Sequence, residues 1–154
     1  MTGPTPRGTA GETPPFDDRG DRPVHIAGLH LVRIPVADVW ISRDWYTGVL
    51  GLLPVMDVEE EQRVVGAVLR HPQGFAIGLH LDPRRASELA GFALLGLTVT
   101  GRDELERWAL HLDGIGLAHG VLEQGHLGWS MDLPDPDGIL VRFHTGRAPY
   151  VEEA

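Results

Sequence analysis

The chain of 154 residues contains no cysteine and no lysine; every cationic side chain apart from histidine is arginine. Without cysteine there are no disulfides, thiolate nucleophiles or thiolate zinc sites. Without lysine there is no Schiff-base chemistry and no Walker-type phosphate loop. No run approaches the roughly 20 apolar residues that span a bilayer. The N-terminus, MTGPTPRGTAGETPPFDDRGDRPV, lacks the charged-then-apolar layout of a signal peptide. No membrane partner is therefore expected, and a cytoplasmic location is. Positive charge is also scarce: 13 basic against 22 acidic residues leave a net charge of −9. Nucleic-acid partners are not expected from that balance, because binding phosphates requires cations that displace counterions. Eight histidines and many carboxylates remain, so acid–base chemistry or a nitrogen–oxygen metal site stays open.

Residues 1–24 mix proline, glycine and charge, too little apolar surface to offset ordering entropy, and are expected to form a flexible tail. Behind the tail lies a repeat. GLHLVRIPVAD (28–38) and VWISRDWYTGVLG (39–51) return as FALLGLTVTG (92–101) and RDELERWALHLDG (102–114). A shift of 63 residues lays Val36 on Val99, Trp45 on Trp108 and Gly51 on Gly114; one more residue lays Pro72 on Pro136 and Gly74 on Gly138. Self-similarity in one consistent order marks two copies of one unit. Each copy reads as an alternating strand, a helix and three further strands. Asp38 is a fitting N-cap and Gly51 a stop for the first helix; the second runs from about Asp103 to Gly114. The following strands fall near Leu53–Val58, Val64–Arg70 and Phe75–Leu81, then Leu117–Glu123, Gly128–Leu133 and Ile139–His144. The turns HPQG and DPDG separate the last two strands of each copy. The organisation is thus tail 1–24, a βαβββ module at 25–81, a linker with a short helical turn at 82–91, a second module at 92–145, and a tail at 146–154.

The residues V-A-D (36–38), W-Y-x-x-V-L-G (45–51) and DPDG (135–138) make residues 25–145 resemble the vicinal oxygen chelate superfamily, which includes glyoxalase I, extradiol dioxygenases, fosfomycin-resistance enzymes and bleomycin-resistance proteins. The resemblance implies an α+β fold in which two tandem βαβββ modules form a cup-shaped mixed β-sheet with the helices on its convex face. It also implies a homodimer. Strand alternation then assigns faces. Val32, Ile34 and Val36 belong under the helix; Leu31, Arg33 and Pro35 face the cup. From the second module Leu94, Gly96 and Thr98 face it. Ala76, Gly78 and His80, Leu140, Arg142 and His144, and Ser130 and Asp132 complete the lining, with Val64 and Val68 as apolar wall.

Metal-dependent relatives draw ligands from the first and closing strand of each module. By the resemblance those positions are Leu31, Gly78, Leu94 and Arg142, none of which binds a divalent cation. His30 lies one residue away and so on the opposite face. His80 and His144 have the inward parity and, with Asp132, define a displaced alternative about 7 Å along their strands. No metal or other cofactor is expected. The candidate ligand-binding residues are Arg33, His80, Ser130, Asp132, Arg142 and His144. Arginine forks suit carboxylate or phosphate groups, while an internal Arg142–Asp132 ion pair is the structural alternative. The expected function is a metal-free small-molecule-binding protein resembling bleomycin-resistance proteins. The alternative is a glyoxalase-like lyase, isomerase or dioxygenase with a non-standard site, in which His80, His144 or Asp132 moves protons.

Overall fold

A computed structural model describes residues 23–146; of the tails expected at 1–24 and 146–154, residues 1–22 and 147–154 lie outside the described residues. The first module contains β1 (Val32–Val36), α1 (Val39–Leu50), β2 (Leu53–Glu60), β3 (Arg63–His71) and β4 (Phe75–Leu81). A short α2 (Pro83–Glu88) leads into the second module: β5 (Ala93–Thr98), α3 (Arg102–Gly114), β6 (Glu123–Gly125), β7 (Gly128–Pro134) and β8 (Leu140–His144). The strands form two four-stranded sheets, ordered β1-β4-β3-β2 and β5-β8-β7-β6. In each, the first strand runs parallel to the last and the other pairs are antiparallel. The duplication read from the sequence is therefore a duplication of topology.

The helix boundaries follow from local chemistry. Asp38 caps α1 by accepting a hydrogen bond from the Ile41 amide at 3.0 Å, which satisfies one of the free N–H groups of the first turn. Gly51 ends it in the left-handed region at φ 75°, where a side chain would be strained. Val39, Ser42, Tyr46 and Leu50 recur at helical spacing and are buried. Helix α3 has no side-chain cap but carries Asp103 and Glu104 in its first turn, where they oppose the helix dipole. It buries Leu105 and Leu112, and Trp108 stacks on Phe143 with ring centroids 4.8 Å apart.

Strand alternation divides each sheet into a helix-covered and a helix-free face. Ile34, Val36, Ala67, Leu69, Ile77 and Leu79 are buried on the covered side of the first sheet. Met131, Leu133, Val141 and Phe143 do the same in the second. Pro35 departs from the expected pattern: it has the open-face parity yet is buried, at the strand along which α2 packs.

The matched turns are built alike. The His71 ring nitrogen Nδ1 accepts from the Gln73 amide at 3.1 Å, and Asp135 Oδ1 accepts from the Asp137 amide at 2.8 Å. Both turns close on a glycine with positive φ, Gly74 and Gly138. Among the described residues, the second turn is the one whose hydrogen bonds reach the other module. Buried Tyr46 on α1 donates its hydroxyl proton to Asp135 Oδ2 at 2.8 Å, and Asp137 Oδ2 accepts from the Ala37 amide at 3.2 Å. Burial first, then the neighbouring Asp135 carboxylate, pushes the Tyr46 phenol far above its ordinary value. Burial likewise raises Asp135, and the Tyr46 bond partly opposes that shift.

One expected element is corrected. The strand placed at Leu117–Glu123 is restricted to Glu123–Gly125. Gly116 turns the chain at φ 75°. His119 then ties the segment to α3, with Nε2 2.8 Å from Asp113 Oδ1 and Nδ1 2.7 Å from its neighbour's carbonyl at Gly120. The Gly120 amide donates to the Asp132 carbonyl at 2.8 Å. These bonds satisfy the segment locally, so the alternating residues Leu117, His119 and Val121 never become a ladder.

Candidate functional site

Every candidate residue lies on an open face, three rows deep in each sheet. On the first sheet the rows read across strands as Leu53, Arg70, Ala76; then Met56, Val68, Gly78, Arg33; then Val58, Gly66, His80, Pro35. Arg33 and His80 are exposed, and so are Met56 and Val58. On the second sheet Ser130 stands opposite His144, and Asp132 stands between Arg142 on β8 and the Gly120 backbone. Thr98 pairs with His144 and Gly96 with Arg142. Ser130, Asp132, Arg142 and His144 are thus brought together, whereas Arg33 and His80 form a separate group.

Arg142 and Asp132 form a two-pronged ion pair, Nε to Oδ1 at 2.7 Å and Nη2 to Oδ2 at 3.0 Å. The hydrogen bond to Asp132 holds the Arg142 guanidinium even more firmly protonated than usual. Of the two arginines offered as ligand forks, this one already has its planar face of donors committed to a carboxylate. The side chains remain 41% and 30% exposed, so the pair is wet and contributes about 1 kcal/mol or less. Its main effect is to cancel charge on the second sheet.

The positions matching the metal ligands of metal-dependent relatives do not fit a cation. Leu31 lies across Gly78, its Cδ1 only 3.2 Å from where a Cβ on that glycine would stand. Arg142 is a committed cation, and Leu94, at a register break between Ala93 and Leu95, is apolar. The displaced set is divided: His80 is on the first sheet, Asp132 is engaged by Arg142, and His144 lies against Gly96, its Nε2 3.6 Å from a Cβ built there. Among the described residues no three histidine or carboxylate side chains form a group able to hold a metal ion.

Arg70 lies outside the lining expected from the sequence, which ends at Val68, yet the parity of Val64 and Val68 carried two residues further reaches it. It lines a cleft of about 660 Å³ at the end of the first sheet with Leu29, His30, His71, Gly74, Phe75 and Ala76. That volume is within the range of small-molecule sites. The remaining histidines are elsewhere: His25 exposed ahead of β1, His111 on α3, His119 in the segment after it, and His126 exposed at the β6–β7 turn.

Two tandem βαβββ modules, each with one helix-covered and one open face, define the fold class, and the comparisons with known proteins place the chain within it. The family model of the glyoxalase/bleomycin resistance protein/dioxygenase superfamily matches residues 23–143. The chain belongs to that superfamily. Among solved structures it is similar to a glyoxylase/bleomycin resistance protein/dioxygenase domain from Frankia sp. EAN1pec, at 24% identity and TM-score 0.63 over 80% of this chain and 100% of that one. It is also similar to the fosfomycin resistance protein FosX from Listeria monocytogenes, at 12% identity and TM-score 0.63 over 78% and 93%. A third similar structure is TnmS3, an antibiotic binding protein from Streptomyces sp. CB03234, at 17% identity and TM-score 0.59 over 78% and 98%. No curated protein matches the chain. No helix among the described residues is long and apolar enough to cross a membrane.

Proposed function

We propose that the protein binds a small molecule on its open sheet faces without a bound metal, as a cytoplasmic homodimer. The observation that carries this reading is the chemistry at the positions where metal-dependent relatives place ligands: a leucine packed over a glycine, a second leucine, and an arginine forked by an aspartate. The open faces offer instead an apolar field with a few polar groups, the ordinary make-up of a ligand site. Among the similar structures, one is described as an antibiotic binding protein and another as a fosfomycin resistance protein; the former has the kind of role proposed for this chain.

The dimer is supported by exposure. Arg33, His80, Gly96 and Thr98 are all exposed, and all eight residues of β2 are too. Surfaces this open on both sheets invite a second copy to complete the enclosure. Three measurements test the reading: metal analysis of the purified protein, a thermal-shift screen against antibiotics and small organic acids, and light scattering for mass. The expected result is no stoichiometric metal, a dimer, and a saturable shift for some compounds. Stoichiometric iron, manganese, nickel or zinc that is lost in His80→Ala or His144→Ala would overturn it in favour of the displaced-site enzyme.

A further inference from the structure

Building on that small-molecule reading, we propose that the ligand is an organic anion with a broad apolar body, and that it lies on the open face of the first sheet with its acidic group at Arg33 and Arg70. Charge is distributed unevenly over a protein of net charge −9. The three rows of the first sheet's open face hold Arg33, Arg70 and His80, and no carboxylate. Asp57 belongs to the same hairpin but turns to the other side, where it pairs with Arg43 of α1 at 2.8 Å. Glu59, opposite Val64, is the next acid on the open side. It sits three rows from Arg70, about 20 Å along the strand, well beyond a Debye length of ~8 Å at physiological salt. The second sheet is different: its Arg142 is cancelled by Asp132, and Glu123 stands opposite Ser130. Among the described residues, the open face of the first sheet is the one that presents unmatched positive charge.

Among the described residues neither Arg33 nor Arg70 makes an ion pair or a side-chain hydrogen bond. They stand one row and two strands apart, about 12 Å between Cα atoms from strand spacing, within the reach of two long side chains converging on one acidic group. The field between them is apolar and low. Val68 and Ala76 are small, and Gly78 has no side chain of its own and is roofed by Leu31. Exposed Met56 and Leu53 form the outer border. A wide ring system can rest on such a floor, and beside Arg70 the cleft of about 660 Å³ continues between Leu29 and Phe75. A guanidinium binds carboxylate, sulfonate or phosphonate through paired donors, and apolar contact supplies the remaining affinity.

The test uses the full chain and two probes that share a ring system, 8-anilinonaphthalene-1-sulfonate and the uncharged N-phenyl-1-naphthylamine, followed by fluorescence titration. The sulfonate is expected to bind saturably and at least about tenfold more tightly than the neutral probe. An Arg33→Gln/Arg70→Gln variant should lose that advantage while binding the neutral probe unchanged. Arg84→Gln, which alters an exposed arginine on α2, should change neither. Circular dichroism and thermal melting establish that the double variant is folded; if it is not, each single substitution is titrated instead. Equal affinity for the two probes, or sulfonate binding indifferent to Arg33 and Arg70, overturns the anion assignment and leaves small-molecule binding standing. Failure of both probes and of every compound in the thermal-shift screen removes the small-molecule reading itself.

Discussion

Replacing Tyr46 by phenylalanine deletes one oxygen atom and keeps the ring that fills the core, so it isolates the hydrogen bond between the two modules. The hydroxyl donates to Asp135 Oδ2 at 2.8 Å, and both residues are buried. Asp135 Oδ1 is served by two amides, Asp137 at 2.8 Å and Ile139 at 3.0 Å, but among the described residues Oδ2 has Tyr46 alone. The variant strands a carboxylate oxygen at 5% residue exposure. A hydrogen bond to a charged group contributes about 1.5–3 kcal/mol net, and a buried orphan incurs its full desolvation penalty. The expected loss is about 2 kcal/mol, or roughly 4–8 °C in Tm for a chain of this size. The sign of the pH dependence is also determined. Burial raises Asp135 in the folded state and the Tyr46 bond restrains that rise. A carboxyl with a raised folded pKa favours folding fully at pH below its unfolded value and loses that advantage as pH climbs through the folded one. Without Tyr46 the folded pKa climbs further, so the deficit should be largest at neutral pH and shrink on acidification. Urea unfolding of the wild type, Tyr46→Phe, Asp135→Asn and the double variant, at pH 7 and pH 5, measures both effects. A single-variant loss below 0.5 kcal/mol, or strictly additive losses with no coupling between the two sites, would refute the account of the joint.

Three further outcomes follow from separate contacts. Both ring nitrogens of His119 face acceptors, and its pKa is raised, first by the Gly120 carbonyl and then, against the cost of burial, by Asp113. Its stabilisation should be complete below the unfolded value near pH 6.5 and fade as pH rises through the higher folded pKa; in His119→Ala that part of the pH–stability curve should flatten, and an unchanged slope argues against the imidazolium. Gly66→Ala would place a Cβ 2.5 Å from the Leu79 carbonyl oxygen, a backbone atom, whereas Gly96→Ala meets only the His144 ring at 3.5 Å. Denaturant unfolding should show a loss of about 1–3 kcal/mol for the first and clearly less for the second. Asp132→Asn breaks a half-exposed pair and should lower stability by no more than about 1 kcal/mol; a loss several times larger would mean that the pair is a structural keystone.

Local chemistry explains what could be read from the residues alone. The Asp38 cap, the Gly51 stop and the parity of β1, β3, β4, β7 and β8 depend on neighbours along the chain, and period-two alternation carries directly into faces. The segment at 117–122 defeated the same rule. Its alternation is genuine, but a histidine ring and two glycines turn its hydrogen bonds inward before a strand can form. The Tyr46–Asp135 joint was invisible because its partners lie 89 residues apart and no spacing rule links a helix of one copy to a turn of the other. At the site, alternation placed Arg142 and Asp132 on one face, yet only coordinates show both donors of the fork bound to both oxygens. Arg70 was within reach of the same parity and was missed because the expected wall stopped at Val68.

Strand β2 has a consequence for how the chain behaves at high concentration. It forms the outer edge of the first sheet, carries exposed Val55, Met56 and Val58, and among the described residues leaves one row of backbone groups unpaired. Such an edge is a template for strand-to-strand growth into fibrils. Pro54 removes a donor from it, register breaks between Pro54 and Met56 and between Val58 and Glu59 bend the ladder, and Glu59, Glu60 and Glu61 add repulsion at its tip. These features keep the edge from adding strand upon strand, and replacing them would turn it into a nucleus for aggregation.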